Sequence, residues 1–185
     1  MIKTYEFSII ASGLNPEAGD FETRFYDAGC DDATISFQKG HIIADFAREA
    51  QSLEDAIATA FDAVFSAGAK IDRVEPDPLV SLTDMAARAG LTRASLFHYS
   101  TGKRRSHFPA PVVRVTSESP LWEWATVARW MYENEKLEKE AAIDAEIVRQ
   151  ANVAICSGES HLGEKLKKAA KEYSEELEAA KMATA

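Results

Sequence analysis

The stretch LTDMAARAGLTRASLFHYST, from Leu82 to Thr101, decides how the middle of this chain folds. Ser81 and Thr92 are residue types that cap helix starts, and Gly90 stands between the two segments that they would begin. Glycine reaches the left-handed backbone conformation that a tight turn between two steeply crossing helices needs. The order of these residues therefore predicts a helix-turn-helix over Leu82–Thr101.

The apolar residues of this stretch fall where the shared core of two such helices would lie. A small residue is needed where the second helix crosses the first, and Ala86 meets that need. The residues expected to close the core are Met85, Ala89, Leu91, Leu96 and Tyr99. An ordinary helical hairpin is the alternative. The agreement of several constrained positions within one short stretch favours the helix-turn-helix.

Charge is distributed unevenly around this stretch. The 185-residue chain has a formal net charge of −9, which by itself argues against a nucleic-acid partner. Residues 79–116, however, hold six basic residues and one acidic residue, whereas the segments before and after them carry net charges of −9 and −5. Phosphate binding depends on local Lys and Arg, so the basic segment fits a DNA partner. The acidic flanks are expected to weaken non-specific binding through repulsion.

The second helix of a helix-turn-helix lies in the DNA major groove. The residues that the predicted core does not need are the candidates for contacting DNA: Thr92, Arg93, Ser95, Phe97 and His98. Arg93 is the strongest candidate for reading a base, because its planar guanidinium can bind O6 and N7 of guanine together. Thr92 and Ser95 are expected to hold phosphates or to read bases weakly. His98 either packs at the surface or touches DNA.

A basic loop and a predicted wing follow the second helix. The loop residues Lys103, Arg104 and Arg105 are expected to contact the DNA backbone. Two short strands over Val112–Val115 and Leu121–Trp124, joined by a polar turn, predict the wing. The first of these strands adds Arg114 to the DNA-binding candidates.

Three tryptophans lie in and after the second predicted wing strand. Trp122, Trp124 and Trp130 are expected to pack in the core under the wing, the last of them on a helix over Thr126–Tyr132 together with Val127. The alternative is a stacking platform for single-stranded nucleic acid.

The pattern DxAxxxGxTRxSxxxxxxGKRxxxFPxP…PLWxWxxVxxWM resembles the winged helix-turn-helix of the MerR and excisionase (AlpA-type) class of DNA-binding proteins. The likeness covers about residues 79–134. Its matching residues are Asp84, Ala86, Gly90, Thr92, Arg93, Ser95, Gly102, Lys103, Arg104, Phe108, Pro109, Pro111, Pro120, Leu121, Trp122, Trp124, Val127, Trp130 and Met131. The resemblance implies wing residues on the DNA backbone and a dimer. MerR regulators carry a C-terminal effector domain, often with metal-binding cysteines, whereas this chain places its additional domain first and lacks such cysteines.

The N-terminal part alternates strand-like and helix-like segments. Strands are predicted over Lys3–Ala11, Ala33–Gln38, Ile42–Phe46 and Lys70–Val74, and helices over Glu17–Ala28 and from the Ser52 cap to Gly68. This order, βαββαβ, is typical of a ferredoxin-like domain, with one antiparallel sheet and two helices on one face. Such a domain is expected to serve as a scaffold or for dimerisation, with binding of a small ligand or a protein as the alternative.

The chain therefore reads as an α+β protein with three segments. They are a ferredoxin-like domain over 1–76, a winged helix-turn-helix over 79–134 and a helical hairpin over 138–183, with the proline-rich break Glu75–Pro78 as the first boundary.

In the hairpin, Ala141, Ala145, Val148, Asn152 and Ile155 follow coiled-coil spacing. Asn152 either fixes the register of a seam or marks its edge. The hairpin packs on its own chain, on a partner protein or on a second copy. A homodimer is the first expectation, because a two-fold operator needs two recognition helices.

No catalytic set is recognisable in the sequence. Asp31, Asp32, Asp45 and Glu49 have no nucleophile or histidine at a known spacing and are expected to be capped or solvated. Cys30, beside acidic residues, is expected to resist forming a thiolate. The sequence therefore predicts no enzyme, no cofactor and no metal site.

The same sequence indicates where the protein works. Its two cysteines lie far apart, and neither a secretion signal nor a membrane-spanning stretch is recognisable, so a reduced cytoplasmic setting is expected. Three functional hypotheses remain open. They are a dimeric transcriptional regulator, a DNA-binding adaptor or antitoxin-like subunit whose acidic N-terminal domain or C-terminal helices bind a partner protein, and an excisionase-like factor that bends DNA.

Overall fold

The computed structural model describes residues 1–103 and 107–183. In chain order its strands and helices are β1 (Lys3–Ser12), α1 (Phe21–Asp27), β2 (Ala33–Gln38), β3 (His41–Ala50), α2 (Leu53–Ser66), β4 (Lys70–Glu75), β5 (Leu79–Val80), α3 (Leu82–Ala89), α4 (Arg93–Ser100), β6 (Trp122–Glu123), α5 (Trp124–Glu133), α6 (Lys139–Cys156) and α7 (Gly163–Ala183). The protein is thus α+β. No helix within the described ranges combines the length and the apolar character that crossing a bilayer requires.

The chain divides into two compact units. The first comprises Met1–Pro76 with Ile147–Lys171, and the second comprises Asp77–Glu146 with Glu172–Ala185. This division differs from the three predicted segments, since α6 and α7 contribute residues to both units. The boundary after Pro76 lies within the proline-rich break that the sequence indicates.

The first unit is built on a four-stranded antiparallel sheet in the order β2-β3-β1-β4. The predicted order of strands and helices is confirmed. β3 extends to Ala50, beyond the predicted end at Phe46, because it continues to pair with β1 as far as Lys3. α1 begins at Phe21 and not at Glu17. The Asn15 side chain accepts a hydrogen bond from the Glu17 backbone N–H at 3.1 Å, which holds that segment in a turn.

The core of the first unit lies on one face of this sheet. Phe7 and Ile9 of β1 are buried there beside their partners Phe46 and Ala44 of β3. The helix α2 packs against β1, β3 and β4. It buries the apolar face that the sequence predicts, and its start is capped by Ser52, whose hydroxyl accepts a hydrogen bond from the Asp55 backbone N–H.

Asn152 of α6 closes one edge of the sheet. Its Oδ1 accepts a hydrogen bond from the Val74 backbone N–H at 2.8 Å, and its Nδ2 donates to the Val74 carbonyl at 2.9 Å. The side-chain amide therefore takes the place of a neighbouring strand along β4. The role of Asn152 is neither of the two that its spacing suggested.

The apolar face of the C-terminal helices is buried within a single chain. The buried residues on it are Ala145, Val148, Leu162, Leu166, Tyr173 and Leu177. A seam between two copies cannot use side chains that are already covered. A homodimer therefore needs another surface than the seam that the spacing indicated.

Replacing Asn152 by alanine is expected to destabilise the first unit by about 1–3 kcal/mol, because the Val74 N–H and C=O lose their partners in a half-buried position. Amide hydrogen exchange measures this directly, and the Val74 amide is expected to lose protection first. Val153→Ala, one position further at an exposed residue, is the matched control and is expected to change exchange little. Equal exchange of the Val74 amide in the wild type and in Asn152→Ala would show that the Asn152 side chain does not protect the edge of β4.

The second unit has a core of its own, formed mainly by α3, α4 and α5. It buries Trp122, Trp124 and Trp130 together with Val127 and Met131. The prediction that the tryptophans pack in the core is confirmed, and so is the helix that carries Trp130. A stacking platform for single-stranded nucleic acid would need exposed rings, which these are not.

The predicted strand over Val112–Val115 is wrong. A single bridge joins Val113 to Leu121, and Arg114 adopts a left-handed φ of 54°, which ends any ladder there. The second predicted strand is shortened to β6, which pairs with β5 just before α3. The Trp122 indole N–H donates to the Pro109 carbonyl at 3.0 Å and anchors the segment between them.

Candidate nucleic-acid interface

The helix α3 begins with a complete capping box. The Ser81 hydroxyl accepts a hydrogen bond from the Asp84 backbone N–H at 3.3 Å, and the Asp84 carboxylate accepts from the Ser81 backbone N–H at 2.8 Å. The Ser81 hydroxyl also donates to this carboxylate at 2.6 Å. These hydrogen bonds from Ser81 lower the pKa of Asp84 below its ordinary value. The one acidic residue of the basic segment is thus committed to the helix start.

Gly90 makes the turn between α3 and α4. Its φ of 63° and ψ of 27° lie in the left-handed region, and the next residue, Leu91, returns its N–H to the Ala86 carbonyl at 3.0 Å. A residue with a side chain would be strained in this conformation. The glycine therefore sets the direction in which α4 leaves α3.

Thr92 caps the start of α4. Its hydroxyl oxygen accepts a hydrogen bond from the Ser95 backbone N–H at 3.1 Å, and the hydroxyl donates to the Ser95 Oγ at 3.0 Å. The hydroxyls of Thr92 and Ser95, both candidates for contacting DNA, are therefore hydrogen-bonded to each other at the first turn of α4. They shape the exposed end of the helix, and the Ser95 hydroxyl still has its own hydrogen to donate.

The two faces of α4 differ sharply in exposure. Leu96 and Tyr99 are buried against Met85 and the tryptophans of the second unit, as the sequence predicts. Arg93 and Phe97 lie on the outer face, and the Phe97 side chain is 45% exposed. The candidates Ser95 and His98 are half-buried at the margin of this face.

Arg93 is an exposed cation at the first position of α4. No carboxylate or carbonyl among the described residues binds its guanidinium by a hydrogen bond or an ion pair. Its five N–H donors are thus available to a ligand. This arginine is therefore exposed at the first position of a helix whose start is capped by Thr92.

The other basic residues predicted to contact DNA follow α4 in the chain. Lys103 follows the C-terminal cap of α4 by two positions and is exposed, and Arg114 is exposed in the segment before β6. The predicted candidates Arg104 and Arg105 lie outside the described residues. Exposed lysine and arginine are the usual partners of phosphate.

Phe108 anchors the chain where it returns from the basic loop, a role that its position in the sequence does not predict. Its ring lies 4.9 Å from that of Trp130, edge to face, and 6.4 Å from that of Tyr99. Tyr99 itself lies 5.3 Å from Trp130. This trio of rings joins the end of α4, the loop and α5. The dipeptide Phe108-Pro109 is the only local signal that could have pointed to it.

Among the described basic residues of the segment, Arg88 alone has an evident structural task. Its Nη2 donates to the Asp77 carbonyl at 2.8 Å, and its guanidinium lies over the Trp124 ring at 5.5 Å. It thereby holds the chain just before β5. The sequence contains no pattern that distinguishes Arg88 from the exposed arginines.

Two acidic residues of the first unit, Asp32 and Asp45, form contacts that support the fold. Asp32 binds the buried Arg48 through two hydrogen bonds of 2.7 and 2.8 Å, and Asp45 accepts one from Ser8 at 2.5 Å. Burial raises the pKa of the Cys30 thiol to about 11, with Arg48 opposing and Asp32 and Asp31 adding to the shift. The prediction that Cys30 resists forming a thiolate is confirmed, although burial and not the acidic neighbours is the main cause.

A scan against protein-family models finds no match for this chain, and searches of curated proteins and of solved structures find none either.

Proposed function

We propose that this protein is a DNA-binding regulator that reads double-stranded DNA through a helix-turn-helix formed by α3, Gly90 and α4. The observation that carries the proposal is Arg93, which stands uncovered at the start of a capped helix in the only basic segment of the chain. The first unit, with its strand order β2-β3-β1-β4, serves in this proposal as a ferredoxin-like domain.

Binding follows from the exposure of each group. The first turn of α4 enters the major groove, where Arg93 binds the O6 and N7 atoms of one guanine. Thr92 and Ser95 lie at the same turn, where a hydroxyl and the backbone N–H groups face a phosphate. Lys103 and Arg114 add phosphate contacts, which give affinity and orientation without reading sequence.

The decisive experiment is selection of bound duplexes from a random pool by the full chain at moderate salt. A recurring site with a guanine in each half would support the proposal. Wild-type protein that recovers no sequence beyond chance would contradict it. The affinity for the recovered site is then measured at several salt concentrations, because phosphate contacts show as a salt slope.

Arg93→Ala is expected to reduce the affinity for the selected site by about 1–3 kcal/mol and to relax the preference at one base. Arg93→Lys is expected to keep the charge but lose the paired hydrogen bonds to guanine. Lys103→Ala is expected to weaken all duplexes alike and to lower the salt slope by about 1. Arg24→Ala, an exposed arginine of the first unit, is the control. A loss for Arg93→Ala that is equal on every duplex would show that Arg93 reads no base.

A factor that bends DNA is a second candidate, favoured by the apolar side chains beside Arg114. Val112, Val113 and Val115 are all exposed, and apolar side chains that enter a groove can open base steps. Circularly permuted duplexes carrying the selected site report such a bend by gel mobility. Equal mobility of all permutations would remove this candidate and leave the regulator.

A further inference from the structure

The two edges of the four-stranded sheet differ. β4 is closed by Asn152 of α6, whereas no strand or side chain among the described residues pairs with the outer edge of β2. The Asp32 carbonyl accepts from Ala47 of β3 just before β2 begins, which fixes the alternation along the strand. The backbone N–H and C=O groups of Ile35 and Phe37 therefore point away from β3 and toward solvent.

This open edge has none of the usual protection. β2 reads ATISFQ and contains no charged residue, no proline and no glycine. Natural edge strands in monomers commonly carry such residues, because an open strand pairs with any other strand it meets. Ile35 is half-buried and Phe37 is 44% exposed on the core side of the sheet, so the edge is also partly apolar.

The charges at the two ends of β2 are complementary under two-fold symmetry. Asp31 precedes the strand and Lys39 follows it, both exposed and without an ion pair to other described residues. Antiparallel pairing of β2 with β2 of a second copy around Ile35 brings Lys39 of each copy beside Asp31 of the other. Ala33 then faces Phe37, so the helices of both copies stay on the same side of one continuous sheet. The Ala33 N–H already donates to the Cys30 carbonyl at 3.1 Å, so at this pair the Ala33 carbonyl accepts from the Phe37 N–H of the other copy. A chain with a net charge of −9 repels its own copy, and β2 itself adds no charge to that repulsion.

We propose that this protein forms a homodimer by antiparallel pairing of the β2 strands, which joins the two sheets into one of eight strands. The interface is independent of DNA binding and replaces the C-terminal seam that the sequence suggested. It supplies the second recognition helix that a two-fold DNA site requires.

Light scattering coupled to gel filtration of the full chain, without DNA, tests the proposal. The wild type is expected to be dimeric at micromolar concentration. Asp31→Lys places a lysine beside Lys39 of the other copy at both ends of the interface. The repulsion is expected to raise the dimer Kd on the order of tenfold. The exchange Asp31→Lys with Lys39→Asp is expected to restore it. Asp tolerates the left-handed conformation of residue 39, where φ is 51°. Glu175→Lys, the same charge change on α7, is the control.

A backbone variant separates strand pairing from side-chain contact. Phe37→Pro removes an N–H that points to solvent in the monomer, a change that an edge strand accepts, and it is expected to give folded monomer by circular dichroism. Phe37→Ala keeps the N–H and is expected to retain more of the dimer. A wild type that stays monomeric at high concentration would overturn the proposal, as would a dimer unaffected by Asp31→Lys and Phe37→Pro. A DNA-binding failure with an intact β2 dimer would contradict only the function proposed above.

Discussion

Trp130→Ala is expected to lower the free energy of unfolding of the second unit by about 3–5 kcal/mol, the range for truncating a buried tryptophan. The indole is 6% exposed and contacts the rings of Phe108 and Tyr99. Its removal leaves a cavity at the point where α4, the basic loop and α5 meet. Urea denaturation followed by tryptophan fluorescence measures the loss, because all three tryptophans lie in this unit and two remain.

Two control variants test whether the loss of stability comes from removing a buried aromatic ring. Trp130→Phe keeps an aromatic ring and is expected to lose less. Phe97→Ala removes an exposed ring from the other face of α4 and is expected to stay within about 0.5 kcal/mol of the wild type. If Trp130→Ala and Phe97→Ala had equal effects on stability, the two faces of α4 would not be assigned correctly.

Asp32→Ala is expected to destabilise the first unit by about 3 kcal/mol, at the lower end of the range for breaking a buried ion pair. The lower end applies because the Asp32 side chain is 29% exposed, whereas that of Arg48 is 11% exposed. Arg48 would keep only the Gly29 carbonyl and the Thr59 hydroxyl as hydrogen-bond acceptors. Hydrogen exchange at β3 amides measures the change, and about a hundredfold loss of protection is expected. Asp31→Ala, the exposed neighbour, is the control and is expected to have little effect.

The same pair predicts a dependence on pH. The hydrogen bonds from Arg48 lower the pKa of Asp32 in the folded protein. The stabilisation is therefore complete above the unfolded-state pKa, about 3.9, and is lost as pH falls through the lower folded value. The stability difference between wild type and Asp32→Asn is expected to be constant from neutral pH down to about pH 5 and to shrink below pH 4. A difference that grows on acidification would show that the pair does not hold the folded state together.

The local parts of the candidate interface follow from sequence because each depends on neighbours in the chain. The caps at Ser81 and Thr92 and the left-handed Gly90 involve contacts within a few residues, and the structure has all of them. The buried positions Met85 and Leu96 follow from helical spacing for the same reason. The exposure of Arg93 follows from their burial.

The parts that could not be predicted depend on which distant segment supplies a partner. The segment Val112–Val115 has the residues of a strand, yet only Val113 pairs with Leu121, because Arg114 takes a left-handed backbone conformation there. Asn152 looked like a polar residue in a helical seam, and only its approach to Val74 gives it a role. Arg48 and Asp32, sixteen positions apart, carry no spacing signal for an ion pair.

The sequence by itself determined the two short helices, their caps, the glycine turn and the basic segment around them, since helix starts and turns are decided by local hydrogen bonds and backbone conformation. The tertiary structure alone decided that α6 and α7 contribute residues to both units, that Asn152 closes the edge of β4 and that β2 keeps an open edge. These features arise from burial and strand pairing between segments far apart in the chain, where many partners satisfy the same local pattern and only the packed whole selects one.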